Sequence, residues 1–450
     1  MKHIYLFILV ILSCIGCGKE FLDKKRNANQ VVPASAKDFL ALMDYKSMMN
    51  GNITSRLLLG AGEEYIVADE VYDAINIVNY LPEKRAYTWE KGDLFEDKEF
   101  QDWNITYARI MYTNLVLAGK KSGNSAQETE EWDKLRGIAL FHRSWNYFRL
   151  MQHYGKPWKK EMENEICPIP FRTDYDLEVK ERYLSYKDYY EHLIEAVEEA
   201  IQLLPLSQPA KTRPNRSAAN LLLSKIYLQM HDYKKALAHA QECVSLSLDL
   251  LDFNVIEQTT ASPFKEDYGL SNPEILFYHS SEGGYFMSDR RMNVSSNLLN
   301  LYETRDLRSK IFFLEQEDGR WVFNGQLSGN NYTYYDGLTT AEAYLIMAEC
   351  LARDNALDDA QAILEKLLKN RYEKGADYKL KKGLSKDQLV GKVLEERRKE
   401  LCFRAIRWED LRRLNAEGMY TETLERTVKG ERHENKWDTG VWYWGLPKRS

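Results

Sequence analysis

Two stretches of this chain echo each other, and the echo restricts the fold more than any other feature of the sequence. Residues 217–246 read as two helices joined by a short turn at Met230-His231-Asp232. Residues 341–370 repeat the arrangement, with Ser224 corresponding to Ala348 and Ala236 to Ala360 at one constant offset. Small residues at such positions let helix backbones approach closely. The small, large and small order follows the tetratricopeptide pattern, which pairs helices in units of about 34 residues. Such a pair cannot bury its apolar face alone, so further helices must complete the stack.

The rest of the sequence offers those helices. Trp103, Tyr107, Ile110, Asn114 and Leu117 recur at steps of four and three, one face of a helix. Leu135, Ile138, Phe141, Trp145 and Phe148 do the same, and their helix stops at Tyr154-Gly155-Lys156-Pro157. Another runs from about Ser185 to Leu204 and ends at Pro205. These last two predict a further pair with a long insertion between its members, and a helix after Ser385 caps the stack. Ala36 to Asn50 is also helical in pattern. The expected fold is mainly α: a tetratricopeptide-like helical-repeat scaffold with long irregular loop insertions, one unit over residues 36–450. The insertions are residues 51–97 and 251–335, the second with strand-like runs at Ile275–His279 and Arg320–Phe323. Loops of this length in compact domains usually carry function.

The N-terminus predicts export. Lys2 and His3 precede an unbroken apolar stretch from Ile4 to Leu12, too short to span a bilayer and suited to a signal-peptide core. Ser13-Cys14-Ile15-Gly16-Cys17 follows, a small residue before a cysteine, as in a bacterial lipobox. Cys14 and Cys17 compete for the lipid. Cys17 is favoured, making 1–16 a signal peptide and 17–35 a tether. The mean hydropathy is −0.54, and no later apolar run is long enough for a spanning helix. The formal net charge of −6, with no basic block, predicts no nucleic-acid partner.

Chemistry-bearing motifs are missing. The sequence has no HExxH, no GxSxG, no phosphate-cradling glycine loop and no EF-hand spacing. No catalytic residue, metal ligand or cofactor is expected. Cys167, Cys243, Cys350 and Cys402 lack zinc or redox spacing and read as buried thiols, with a disulfide as the alternative. The charge-dense run Glu396–Arg413 reads as one helix. Its stripe of Leu394, Arg397, Leu401, Arg404, Trp408 and Leu411 puts Glu400 within reach of Arg397 and Arg404. It is expected to be a buried ion network rather than an active site.

Several segments together resemble the SusD/RagB family. They are Phe21-Leu22-Asp23 after the lipid cysteine; Trp103, Tyr107 and Asn114; and Leu135-Arg136 with the Tyr154-Gly155-Lys156-Pro157 stop. Ala218 to Leu228 with Asp232-Tyr233 and Ala236-Leu237 follows, then Asn272-Pro273-Glu274-Ile275-Leu276-Phe277. Most specific is Glu396-Arg397-Arg398-Lys399-Glu400-Leu401 with Phe403, Arg407-Trp408 and Asp410-Leu411-Arg412-Arg413. The chain departs from the family at Leu446-Pro447, where Lys448 follows. The resemblance implies a lipoprotein on the outer face of the outer membrane. It would act as a lid over a TonB-dependent SusC-type β-barrel transporter, capturing oligosaccharides or in some members peptides, without catalysis. A structural adaptor without a small ligand and a secreted glycosidase are the other readings.

Sugar faces pack on aromatic rings, and their hydroxyls need planar polar partners. Aromatics in helical stripes are core, so the candidates lie in the two insertions. They are Trp89 and Trp321 foremost, with Tyr87, Tyr285, Tyr332, Tyr334, Asn79 and Asn330.

Overall fold

Serine side chains start several of the helices. In the computed structural model, which describes residues 33–51, 56–119, 125–258 and 262–448, Ser35 and Asp38 form a capping box for α1 (Ala36–Met43). Ser125 and Glu128 do the same for α3 (Ala126–Tyr154), the longest helix, and Ser185 caps α4 (Tyr186–Leu203). Helix α2 (Gln101–Ala118) precedes α3. The repeat pairs are α5 (Arg216–Gln229) with α6 (Tyr233–Leu246), and α7 (Thr340–Arg353) with α8 (Leu357–Leu368). Ser385 and Gln388 box the start of α9 (Lys386–Glu400), and α10 (Ile406–Glu417) follows. Cys14, Cys17 and Phe21-Leu22-Asp23 lie outside the described residues.

The helices stack in chain order. Helix α3 packs between α2 and α4, α4 on α5, α5 on α6, α6 on α7, and α7 on both α8 and α9. This is the mainly α, tetratricopeptide-like scaffold with loop insertions. Its small residues sit where helices meet: Ala236, Ala240 and Ala360 are fully buried, and Ser224 Oγ donates to the Ala236 carbonyl at 2.7 Å.

The insertions form a layer of short elements. Among the described residues, ten strands of two to five residues, most of them in or beside the insertions, pair as five separate antiparallel two-stranded sheets. Strand β1 (Tyr65–Val67) of the first insertion pairs with β4 (Met292–Val294) of the second, Tyr65 opposite Val294. The insertions are thus joined to each other. Strand β2 (Ile275–Phe277) pairs with β8 (Leu338–Thr339), and β3 (Ser280–Glu282) with β7 (Thr333–Tyr335). Strands β5 (Phe313–Glu315) and β6 (Trp321–Phe323) form a hairpin, as do β9 (Leu424–Val428) and β10 (Glu431–Asn435).

The segment 396–413 corrects the single-helix expectation. Helix α9 ends at Glu400, and a turn with Phe403 at φ 56° and Ala405 at φ 61° separates it from α10. Left-handed backbone at a residue with a Cβ costs about 1 kcal/mol or more, so packing must enforce the turn. Glu64 Oε1 accepts the Phe403 amide at 2.9 Å within it. Glu400 therefore pairs with neither Arg397 nor Arg404. It accepts from Arg371 and Arg308, while Arg397 donates to Asp410 at 2.7 Å and Glu342 at 3.0 Å. Arg404 donates to Thr339 Oγ1 and the Gly337 carbonyl. The network is buried as expected, but it is tied between elements rather than along one helix.

Cys167, Cys243, Cys350 and Cys402 are free and buried. Burial pushes the Cys167 thiol up to about 12. Among the described residues no helix is long and apolar enough to cross a membrane.

Candidate ligand-binding surface

The turn between β6 and β7 is built to display one ring. Asn330 Oδ1 accepts the amides of Tyr332 and Thr333 and the Thr333 hydroxyl, each at 3.0 Å. Ser328 Oγ donates to the Thr333 carbonyl at 2.5 Å, and Asn330 Nδ2 donates to Glu266 Oε1 at 2.9 Å. Gly329 sits at φ 83° against the backbone of Lys265 and Glu266, where a Cβ would collide. The turn's polar groups satisfy each other, and Tyr332 projects from it with 84% of its surface exposed. No other large hydrophobic side chain among the described residues is as exposed. An aromatic held out by a turn of fixed geometry needs little ordering when a ligand packs on it.

Asn331, the residue before Tyr332, meets further polar groups. Asn331 Nδ2 lies 3.5 Å from Asp289 Oδ2, and Ser262 Oγ lies 3.5 Å from Asn331 Oδ1. Arg320 donates Nη1 to the carbonyls of Asp289 and Met292, both at 2.9 Å, and fixes the 289–292 segment beside the β5–β6 hairpin. Burial raises the Asp289 carboxyl above its usual range, with Arg320 partly opposing. Its Oδ1 is buried without a hydrogen-bond partner.

Trp321 starts β6 next to Arg320. Its amide donates to Asn293 Oδ1 at 2.9 Å, and its ring is half-buried against the core. Tyr285 is also half-buried, with the Arg291 guanidinium 3.7 Å above its ring and Tyr80 5.5 Å away. Glu83 places that segment, accepting the amides of Tyr285 and Phe286 at 2.7 and 2.9 Å. Burial pushes the Glu83 carboxyl up to about 7 despite these donors. Asn79 is exposed in the one-turn helix Val78–Tyr80, whose Tyr80 meets Tyr285.

Three of the expected ligand residues, Trp89, Tyr87 and Tyr334, prove to be core, a correction to that candidate set. Trp89 is 4% exposed, and its Nε1 donates to the Ala61 carbonyl at 3.0 Å. Tyr87 is 1% exposed, packs on Phe286 at 5.1 Å, and its hydroxyl accepts the Val67 amide at 3.1 Å. The Arg426 guanidinium covers both rings, 3.8 Å from Tyr87 and 4.8 Å from Trp89. Tyr334 is 1% exposed, and its hydroxyl donates to the Met287 carbonyl at 2.6 Å. Gly283 lies so close to the Tyr334 ring that a Cβ would collide with it. Both tyrosines of β7, Tyr334 and Tyr335, are buried, whereas Tyr332 stands outside the strand in the turn before it.

Sequence reasoning named neither Arg320 nor Arg291 as positioning groups. A single arginine in a loop carries no signal until the carbonyls it reaches are known. Among the described residues, Glu303, Glu395 and Glu396 bring their carboxylate oxygens within 4.8 Å of one another. Lys399 Nζ reaches Glu303 and Glu396 at 2.7 and 3.1 Å, and Lys392 Nζ reaches Glu395 at 2.6 Å, so lysines already supply the positive charge there.

Comparison with known proteins places these features in context. A family model described as "starch-binding associating with outer membrane" matches residues 20–228, and the SusD family model matches residues 324–444. SusD-like protein P2 of Formosa agariphila is 23% identical, covering 92% of this chain and 90% of its own. A putative sugar binding protein from Bacteroides vulgatus superposes with a TM-score of 0.74 at 21% identity, covering 93% of this chain and 96% of its own. A SusD superfamily protein from Bacteroides fragilis gives 0.72 at 17% identity, with 93% and 97% covered. At these identities the structural likeness speaks for the fold alone.

Proposed function

We propose a role from one premise: this chain belongs to the SusD/RagB family. It binds an extracellular oligosaccharide and delivers it to a TonB-dependent SusC-type barrel in the outer membrane. Residues 1–16 direct export, lipid on Cys17 holds the protein at the outer face of that membrane, and residues 17–35 are the tether. The protein binds and does not catalyse. The observation that carries the glycan reading is Tyr332, an exposed ring on a pre-formed turn with amide and carboxylate groups beside it. A sugar's C–H face packs on such a ring while its hydroxyls meet the polar rim. In this reading Trp321, Asn330, Tyr285 and Asn79 contribute to the same binding site.

Calorimetric titration against oligosaccharides of several linkages, with a peptide digest beside them, tests this. Saturable glycan binding lost in Tyr332→Ala and weakened in Trp321→Ala is expected. Binding of peptides alone would replace the glycan by a peptide nutrient. Glycan binding that both variants retain would sink the site.

A further inference from the structure

The connection from α8 to α9 is a basic face on a chain whose formal net charge is −6. Lys369, Lys374, Lys379, Lys381, Lys382 and Lys386 are all exposed and form no ion pair among the described residues. They stand one to five residues apart, so no contiguous block marks them in the sequence. The acids of the same stretch do not offset them. Glu373 is taken by Arg305 and Lys310, and Asp377 accepts the Lys379 amide at 3.2 Å. Like charges gathered on one short loop repel each other and favour a negative partner.

The loop that carries these lysines is pinned at two points. Leu380 donates its amide to Glu365 at 3.0 Å and accepts Gln361 Nε2 at 3.2 Å, both from α8. Arg305 donates to the carbonyls of Gly375 and Lys374 at 3.0 and 3.1 Å. A loop held this way needs little ordering when a partner arrives. Between it and α9 lies an open cleft of about 690 Å³, within the ~300–1,000 Å³ of ligand sites. Lys379 and Lys381 line the cleft together with Leu380, Leu384 and Tyr378. The Tyr378 ring is half-buried against the core of α7, α8 and α9, and it makes no ring contact or hydrogen bond among the described residues. The other lining cations are already engaged, Arg305 by Glu373 and Lys392 by Glu395. The lining acid Glu303 is held by Lys399 at 2.7 Å.

We infer that this cleft holds a polyanionic polysaccharide, with a sugar face on Tyr378 and its carboxylate or sulfate groups on the lysines. Lysine is a point charge on a flexible stem and follows anionic groups repeated along a polymer, whereas the arginine fork fits one fixed carboxylate. A protein partner fits less well. Lysine is depleted from protein interfaces, and no lining residue lies in a strand that an extended peptide could join. Single-stranded nucleic acid stacks on successive rings, but the only other ring of the lining, Tyr372, is 6% exposed. A membrane surface is disfavoured by the order of the stack. Helix α1, at the N-terminal end, packs on α2 and α3, and the basic loop joins the helices at the opposite end. The cleft shares no residue with the Tyr332 surface, so it stands or falls independently of the proposed role.

Titration of the full chain with polygalacturonate and with dextran sulfate, beside neutral dextran, tests the inference. At least one polyanion is expected to bind saturably, about tenfold or more tighter than dextran, and to weaken about tenfold or more between ~50 and ~200 mM salt. The tighter of the two assigns carboxylate or sulfate. The triple variant Lys379→Gln, Lys381→Gln and Lys382→Gln should weaken it about tenfold or more, and its exposed positions leave the fold intact. Tyr378→Ala should weaken it severalfold with the salt dependence unchanged, which a purely electrostatic contact would not show. Tyr332→Ala should leave it unchanged. Failure of both polyanions to bind, dextran bound as tightly, or binding retained in the triple variant would overturn the inference. So would polyglutamate or single-stranded DNA bound as tightly, or a Tyr378→Ala without effect, since each would reduce the face to a general basic patch. Loss in Tyr332→Ala alone would place the polyanion on the outer surface and overturn it as well.

Discussion

The helical scaffold and the loop layer both bury arginines and carboxylates, but they neutralise them differently. In the scaffold, acid meets base directly. Glu349 accepts both Arg413 nitrogens at 2.7 Å and Arg353 at 2.9 Å, and Glu342 accepts Lys225 at 2.7 Å. Although burial opposes it, these cations pull both carboxyls down to about 2. Under the loops, several partners are backbone groups instead, although Arg308 and Asp306 of the second insertion pair directly. Arg426 donates to the carbonyls of Gly60, Gly62 and Tyr87, and Arg109 to those of Met48 and Gly51. Burial lowers Arg109 to about 10, with Asp336 and Asp102 only partly opposing. Glu64 and Glu83 accept backbone amides, and burial leaves both at about 7. The difference has a structural cause. Regular helices satisfy their own backbone and leave side chains to pair with side chains. Irregular segments leave carbonyls and amides unpaired, and buried charges satisfy them.

Substitutions should separate the two regions. The largest effects should come from Glu349→Ala, which removes the carboxylate shared by Arg413 and Arg353, and from Trp89→Ala, which empties a core position. Each should cost about 3–5 kcal/mol in chemical denaturation. A near-neutral Trp89→Ala would return that ring to the surface. Next comes pH. The carboxyls of Glu349 and Glu342 are depressed, so their contribution is complete above about 4.5 and disappears as pH falls through about 2. The carboxyl of Glu83 is raised, so its contribution is complete below about 4.5 and disappears as pH rises through about 7. One such group costs about 1 kcal/mol between pH ~6 and ~8. Glu83→Gln should flatten that part of the stability curve, and an unchanged slope would remove Glu83 as its source. The smallest effect on stability belongs to Tyr332→Ala, within about 0.5 kcal/mol, although glycan binding should be lost. A large drop in its denaturation midpoint would show that the ring packs after all.

Much of the scaffold is legible because helices announce themselves locally. The stripe from Leu135 to Phe148 and the Gly155–Pro157 stop each depend on residues a few positions apart. The acid–base character of 396–413 is equally plain, since so many charges beside apolar residues must be paired. Its partners are not. The left-handed turn at Phe403 and Ala405 redirects the chain, and Glu400 meets Arg371 rather than its sequence neighbours.

The sequence by itself determined the mainly α repeat scaffold, its two long insertions and the set of aromatics those insertions carry. Only the tertiary structure decided which of those rings meet solvent. Trp89 and Tyr332 look alike as loop aromatics. Arg426, reaching in from a hairpin more than 300 residues away, covers the first, whereas a self-contained asparagine turn displays the second. Exposure is a property of what the rest of the chain leaves uncovered, and no local pattern encodes it.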